Sequence, residues 1–264
     1  MNKKPIGVFD SGIGGLTVYR AIKQRMPRER VIYLGDTARL PYGSKSESTI
    51  IRFSEENAHF LVNHEVKLIV VACNSSSSYA VPHLQANLEV PVIGVIEPGA
   101  EAAVDFSRKK AGVIGTTATI MSGAYEKAIR RRNPDLEIIS RDCPLFVPLV
   151  EEGWVDHTVT RMVAEEYLLP LKKAGIDSLV LGCTHYPVLS KVVGAVMGEA
   201  IRLIDSGLTT ARQVELILGN RGWLNHEPPD QEDDFFVTDF PERFRRVGEV
   251  FLNRKIARVS VAGT

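Results

Sequence analysis

The sequence predicts an α/β protein whose strands pair mainly in parallel. Eight short apolar runs, rich in valine and isoleucine, alternate with longer segments of helical periodicity along the 264 residues. Such runs are typical of strands buried on both faces of a parallel sheet, and the segments between them fit crossover helices. The runs are PIGVF, VIYLG, KLIVVAC, VPVIGVI, AGVIGT, LEIIS, DSLVLGC and IRLID.

Two segments between the runs show the helical pattern well. Apolar residues recur near helical spacing over 46–63, and Ser46 suits the N-cap position. The segment 157–173 is similar, but Pro170 is expected to end or kink that helix early. The C-terminal part is predicted as a surface loop over 220–234, a strand at FFVTD and a short helix over 241–251.

Composition and charge indicate a folded, water-soluble chain. Hydrophobic residues make up 44%, and 32 basic residues balance 32 acidic ones. Nucleic-acid binding would show as a basic surplus, and the short run Arg130 to Arg132 reads as the solvated end of a helix. The N-terminal apolar segment is too short for a signal peptide, and no stretch approaches a membrane span. We therefore expect a cytoplasmic protein without a nucleic-acid or membrane partner.

Three cysteines without an export signal predict free thiols rather than disulfides. Cys73 and Cys183 lie 110 residues apart, and each follows a predicted strand and precedes small polar residues. At the carboxyl end of a parallel strand, helix N–H groups stabilise a thiolate and can lower its pKa, so either cysteine could act as a base or nucleophile. The alternative is a small buried residue, the interpretation we keep for Cys143.

Other polar groups gather at the predicted strand ends. His185, two positions after Cys183, could orient that thiol or lower its pKa, or could be a satisfied core histidine. Asp10 could serve the site or a turn before glycine. These and the other polar strand-end residues are Asp10, Ser11, Asp36, Thr37, Asn74, Ser75, Thr184 and His185.

The glycines of DSGIGG allow a ligand carboxylate or phosphate to approach the backbone closely. The motif lacks the spacing of a dinucleotide fingerprint and the Walker lysine, so we predict no nucleotide site. No C-x-x-C pair is present, and Cys183 with His185 supplies too few ligands for a closed zinc site. We therefore expect no metal.

Four motifs together resemble the glutamate racemases. They are FDSGIGG at 9–15, GDTARLPYG at 35–43, ACNSSS at 72–77 and GCTHYP at 182–187. They recur in order across nearly the whole chain and include both strand-end cysteines. One departure is visible, because the family usually has threonine and then alanine where this chain has Ser75 and Ser76.

The resemblance implies two pseudo-symmetric α/β domains, each a mainly parallel sheet flanked by helices, with the active site in the interdomain cleft. Together with the strand pattern it places residues 1–97 plus 208–264 in a first lobe and 98–207 in a second. A site between two lobes predicts closure on the substrate.

The resemblance also implies site residues for cofactor-free interconversion of L-glutamate and D-glutamate. Cys73 and Cys183 become the two acid/base thiols, assisted by Asp10 and His185. Residues expected to hold glutamate are Asp10, Ser11, Tyr42, Gly43, Asn74, Ser75, Thr184 and His185. Supporting residues are Asp36, Thr116, Thr119 and either Glu151 or Glu152. The family context adds D-glutamate supply for peptidoglycan and a homodimer.

Racemisation explains why two thiols are wanted, because a proton leaves one face of the α-carbon and another arrives on the opposite face. Without a cofactor to spread the carbanion charge, hydrogen bonds to the substrate carboxylate in a water-poor cleft must stabilise it. Three alternatives stay open: an aspartate racemase, a thiol hydrolase that uses Cys73 with His185, and an amino-acid-binding or protein-binding module without catalysis.

Overall fold

A computed structural model describes residues 2–252 and 254–263 of the chain. Its strands are β1 (Ile6–Asp10), β2 (Val31–Gly35), β3 (Leu68–Val71), β4 (Val92–Gly94), β5 (Lys110–Gly115), β6 (Glu137–Asp142), β7 (Ser178–Gly182), β8 (Arg202–Asp205), β9 (Asp234–Val237) and β10 (Ser260–Val261). Its α-helices are α1 (Leu16–Arg25), α2 (Glu47–Asn63), α3 (Asn74–Tyr79), α4 (Val81–Asn87), α5 (Ile96–Phe106), α6 (Thr117–Met121), α7 (Ala124–Arg132), α8 (Phe146–Glu151), α9 (Thr158–Lys173), α10 (Ser190–Met197), α11 (Ser206–Asn220) and α12 (Pro241–Leu252).

The strands form two sheets, and the paired strands run parallel in both. The six-stranded sheet has the order β10-β9-β2-β1-β3-β4, and the four-stranded sheet has the order β6-β5-β7-β8. Every residue of β1, β2, β3 and β7 is buried, because helices cover both faces of these strands. The predicted α/β class and all eight predicted runs are confirmed, whereas the short edge strand β10 was missed.

The helix predictions are confirmed over both segments, and Ser46 occupies the predicted N-cap position. Ser46 directly precedes α2, but its hydroxyl donates to the Thr49 hydroxyl at 3.0 Å instead of capping a backbone N–H. Pro170 was predicted to end or kink α9 early, and the ending is wrong, since the helix continues to Lys173. Pro170 lies in the last turn, where its missing N–H removes a single helical bond and its carbonyl still accepts from the Ala174 N–H at 3.0 Å.

The C-terminal predictions are confirmed, with irregular chain over 221–233 followed by β9 and α12. Arg130 to Arg132 form the exposed last turn of α7, although Arg131 and Arg132 also pair with Glu97. Among the described residues, no helix has both the length and the apolar character needed to cross a membrane.

The chain passes between the two sheets through α5 and returns through α11. The predicted lobe boundaries at 97/98 and 207/208 fall near the N-termini of these two helices. Helix α11 packs against both α1 and α5, so it contacts elements associated with each sheet. The assignment of residues to lobes stays a prediction.

Candidate active site

The carboxyl ends of strands from both sheets face one cavity of about 360 Å³. Cys73 follows β3 and Cys183 follows β7, as predicted, and each is only 6% exposed. Both cysteines line the cavity. The other predicted site residues that line it are Ser11, Tyr42, Gly43, Asn74, Ser75, Thr116, Thr184 and His185.

Four predicted residues do not line the cavity but lie directly behind residues that do: Asp10, Asp36, Thr119 and Glu151. Seven cavity residues were missed by the sequence interpretation: Leu40, Pro41, Ser44, Thr117, Pro144, Val147 and Pro148. Most are apolar or proline side chains without a chemical signature. Their only sequence signal is proximity to predicted positions, since Ser44 follows Gly43 and Thr117 follows Thr116.

The Cys73 thiol lies at the N-terminus of α3 in a fully buried environment. Burial raises the pKa of Cys73 to about 11, the negative charge of Asp10 adds to this, and the Ser76 N–H and the Ser11 hydroxyl act against it. The expected lowering of its pKa by helix N–H groups is therefore wrong for Cys73. Short α3 supplies too little stabilisation to outweigh desolvation of the thiolate.

Asp10, the last residue of β1, joins the two sheets beneath the cavity. Its Oδ2 accepts from the Gly12 N–H at 2.9 Å, and its Oδ1 accepts from the Thr184 hydroxyl at 3.5 Å. Burial raises the pKa of Asp10, while the charge of His185 and the backbone N–H groups lower it in part. Asp10 therefore acts both as a turn residue and as a buried carboxyl group of the site.

The glycines after Asp10 are required by close packing. A Cβ atom at Gly14 would lie 2.3 Å from the Thr184 hydroxyl and 2.5 Å from Nδ1 of His185, and one at Gly15 would lie 2.4 Å from the Asp10 Cβ. The turn after β1 thus packs directly against the residues that follow Cys183.

A chain of polar contacts leads from Cys183 to the protein surface. The Cys183 Sγ lies 3.9 Å from Nδ1 of His185, whose Nε2 lies 3.2 Å from Oε1 of Glu151. The other Glu151 oxygen is 3.6 Å from the Arg243 guanidinium. Glu151 therefore contacts the histidine, whereas Glu152 is exposed and its carboxylate lies 3.9 Å from Arg243.

These contacts favour a protonated His185 imidazole. Burial lowers the pKa of His185, but the bonds and charges of Cys183 and Glu151 outweigh it and raise the pKa to about 10. Burial raises the pKa of Glu151, but His185 and Arg243 outweigh it and lower the value overall. The cationic His185 ring therefore lies 3.9 Å from the Cys183 sulfur.

Behind Tyr42, the buried Asp36 carboxylate holds the ring in place. Asp36 accepts from the Tyr42 hydroxyl, from the Thr238 hydroxyl at 2.9 Å and from Arg39 at 2.6 Å. Asn57 donates to the Tyr42 oxygen at 3.1 Å. Asp36 thus acts through Tyr42, which lines the cavity.

Three hydroxyl groups lie together at the wall of the cavity around Ser75, the position where the family usually has threonine. The Ser75 Oγ lies 2.9 Å from Thr116 Oγ1 and 3.4 Å from Thr119 Oγ1, so it joins the end of β3 to the start of α6. A Cβ atom at Gly43 would lie 2.7 Å from the Thr116 Cβ. Ser75 therefore keeps the hydroxyl of the usual threonine and makes direct contacts between the two sheets.

Two parallel sheets that bring a pair of buried cysteines to one cavity define a two-lobed α/β enzyme with paired thiols. The family model for Asp/Glu/hydantoin racemases matches residues 6–214. Glutamate racemases from Geobacter metallireducens and Chlorobaculum tepidum are 51% and 47% identical, over 97% and 98% of this chain and 95% and 96% of their own lengths.

A solved structure agrees with these matches. The crystal structure of glutamate racemase from Francisella tularensis in complex with D-glutamate superposes with a TM-score of 0.93 at 40% identity, over 100% of this chain and 98% of that chain. This chain therefore belongs to the glutamate racemases of the Asp/Glu/hydantoin racemase family, and the resemblance seen in the sequence is confirmed.

Proposed function

We propose that this enzyme interconverts L-glutamate and D-glutamate by moving the α-proton between Cys73 and Cys183. The observation that carries the proposal is the convergence of these two buried thiols, from two different sheets, on one cavity. The family membership and the D-glutamate in the Francisella tularensis relative support glutamate as the substrate.

Inversion needs a separate acid and base on the two faces of the α-carbon, because one base tends to return the proton to the face it left. In each turnover the Cα–H bond breaks as a thiolate takes the proton. A new Cα–H bond then forms on the opposite face from the other thiol. The two cysteines end the turnover with their protonation states exchanged.

The surroundings of the two sulfurs favour one starting state. Cys73, with its pKa raised to about 11 by burial and by Asp10, is held as a thiol near neutral pH. The Cys183 sulfur lies 3.9 Å from Nδ1 of His185, whose pKa is raised to about 10. We propose that Cys183 takes the first α-proton while the Cys73 thiol supplies its own to the opposite face, and that the reverse turnover restores this state.

The carbanion formed in between is stabilised by hydrogen-bond donors at the cavity wall. Ser11, Asn74 and Thr184 supply side-chain donors, and each lines the cavity next to Asp10 or one of the cysteines. Donors directed at the carboxylate gain strength as charge develops there in a site with little water. We assign glutamate binding to these residues together with Tyr42, Gly43 and Ser75.

The proposal extends to the setting of the reaction. Residues 1–97 plus 208–264 and residues 98–207 form two lobes that close on the substrate. The enzyme works in the cytoplasm as a homodimer and supplies D-glutamate for peptidoglycan. The dimer and the peptidoglycan role rest on the family resemblance, the lobes on the resemblance together with the strand pattern, and the cytoplasmic location on the short N-terminal apolar segment.

The test is proton NMR of L-glutamate and, separately, D-glutamate with the purified protein in D2O, followed by chiral analysis. We expect loss of the α-proton signal together with formation of the opposite enantiomer. Exchange with aspartate alone would indicate an aspartate racemase, and binding without exchange would indicate a binding module. Either result would contradict the proposal.

A further inference from the structure

The Asn74 side chain at the cavity wall has an unusual hydrogen-bond pattern. Asn74 is 2% exposed, and its Oδ1 accepts a bond of 2.8 Å from the Tyr125 hydroxyl. Its Nδ2 is fully buried and has no hydrogen-bond partner among the residues that the structure describes. A buried N–H group without a partner is costly in a folded protein, and such groups often mark functional positions.

Tyr125 and Asn74 belong to different sheets: Asn74 follows β3 of the six-stranded sheet, and Tyr125 packs beside β7 of the four-stranded sheet. It belongs to α7, and its ring is wedged between α5 and β7: Cβ atoms at Gly99 and at Gly182 would lie 3.0 and 3.1 Å from it. Gly182 directly precedes Cys183, while Asn74 directly follows Cys73. The Tyr125 side chain therefore contacts both cysteine-bearing strand ends, with its ring edge beside Gly182 and its hydroxyl on Asn74.

The direction of this bond determines what the amide can offer. Burial raises the pKa of Tyr125 well above neutrality, so the phenol keeps its proton and donates it. With Oδ1 occupied in this way, the two N–H donors of Nδ2 are left over. If the amide rotated by half a turn, an oxygen would take that place and would repel a substrate carboxylate.

We propose that Tyr125 is a positioning residue that holds the Asn74 amide with Nδ2 reserved as a donor to a carboxylate group of the bound substrate. This inference rests on the proposed function, because it takes an amino acid in the cavity as the substrate. Tyr125 would thus affect substrate affinity through Asn74, without lining the cavity itself.

The test compares Tyr125→Phe with Tyr79→Phe. Tyr79 is a matched control, because its hydroxyl also bridges the two sheets' helices, donating to the Ala118 carbonyl at 3.1 Å, but it does not line the cavity. We expect Tyr125→Phe to lower kcat/KM about tenfold for both enantiomers, the effect of one hydrogen bond to a charged group, through a raised KM together with a lowered kcat. Equal kinetics in the two variants would overturn the proposal.

A double-mutant cycle separates positioning from general loosening of the fold. In an Asn74→Ala background, Tyr125→Phe should change kcat/KM by less than roughly a factor of two, because no amide remains to be oriented. Additive effects would overturn the proposal. Failure of the unmodified protein to racemise glutamate would instead refute the proposed function.

A further pair of variants covers the case in which Tyr125→Phe does not fold, as judged by circular dichroism. Asn74→Asp keeps an acceptor for Tyr125 but replaces the Nδ2 donor with an oxygen. We expect glutamate to bind more weakly to Asn74→Asp than to Asn74→Ala, because the acid adds repulsion to the lost bond. Equal or tighter binding to Asn74→Asp would contradict the donor role.

Discussion

The two cysteines occupy equivalent places at strand ends but have different partners. Cys73 lies beside the Asp10 carboxyl group, and burial together with that negative charge raises its pKa to about 11. Cys183 lies beside His185, which Glu151 and Arg243 connect to the surface. In the proposed mechanism, the same proton transfer at two faces is therefore assisted by a carboxyl group beside Cys73 and by a cationic imidazole beside Cys183.

The cysteines themselves give the largest expected effect. Cys73→Ser and Cys183→Ser should each lower racemisation by about 10²- to 10⁴-fold, because one of the two acid/base groups is lost. In D2O, each variant should still exchange the α-hydrogen of the enantiomer that faces its remaining thiol, so the two variants should prefer opposite enantiomers. NMR of each enantiomer measures this. A shared preference would show that the thiols do not serve opposite faces.

The second-largest effects are expected at Asp10 and His185, the residues proposed to assist Cys73 and Cys183. His185→Gln and Asp10→Asn should each lower kcat/KM by about 10²-fold, equally in both directions, because the two enantiomers have equal free energies. The difference lies in the α-deuterium isotope effect. His185→Gln should enlarge it for the enantiomer that faces Cys183, and Asp10→Asn for the enantiomer that faces Cys73.

Competition between α-protiated and α-deuterated glutamate measures these isotope effects. The enantiomer whose α-hydrogen each cysteine variant still exchanges in D2O identifies which enantiomer faces which sulfur. If both variants enlarged the isotope effect for the same enantiomer, Asp10 and His185 would not assist separate thiols.

The charge of His185 predicts how stability depends on pH. The folded state raises the pKa of His185 from 6.5 to about 10 through Cys183 and Glu151, despite the opposing effect of burial. Folding therefore gains from this group fully below pH 6.5 and loses that gain as the pH rises toward 10. Urea unfolding over this range should show a decline that His185→Gln largely removes; an equal decline in the variant would place its cause elsewhere.

The smallest effect is expected at Arg243, the surface residue at the end of the contacts that lead from Cys183 through His185 and Glu151. Arg243→Gln should lower kcat/KM by about twofold, and less at high salt, because the Arg243 side chain is 45% exposed and screened by water and ions. Arg245→Gln is the matched control, since Arg245 pairs with Glu242 on the same helix. Steady-state kinetics at low and high salt measures both, and equal behaviour would separate Arg243 from the site.

The sequence by itself determined the elements and the chemical groups. Apolar runs rich in valine and isoleucine predicted strands β1 to β8, because a strand buried on both faces needs such residues. The strand-end positions of Cys73 and Cys183 followed from those runs, and the motifs around them identified the family. Local pattern was sufficient for these features, since each depends on neighbours along the chain.

Only the tertiary structure decided which of these groups meet and how they are tuned. Glu151 contacts His185 while its neighbour Glu152 is exposed, and no local pattern distinguishes two adjacent glutamates. The raised pKa of Cys73 and the bond from Tyr125 to Asn74 likewise depend on desolvation and on contacts between distant segments. Burial and through-space contacts are properties of the packed chain, and the order of residues does not display them.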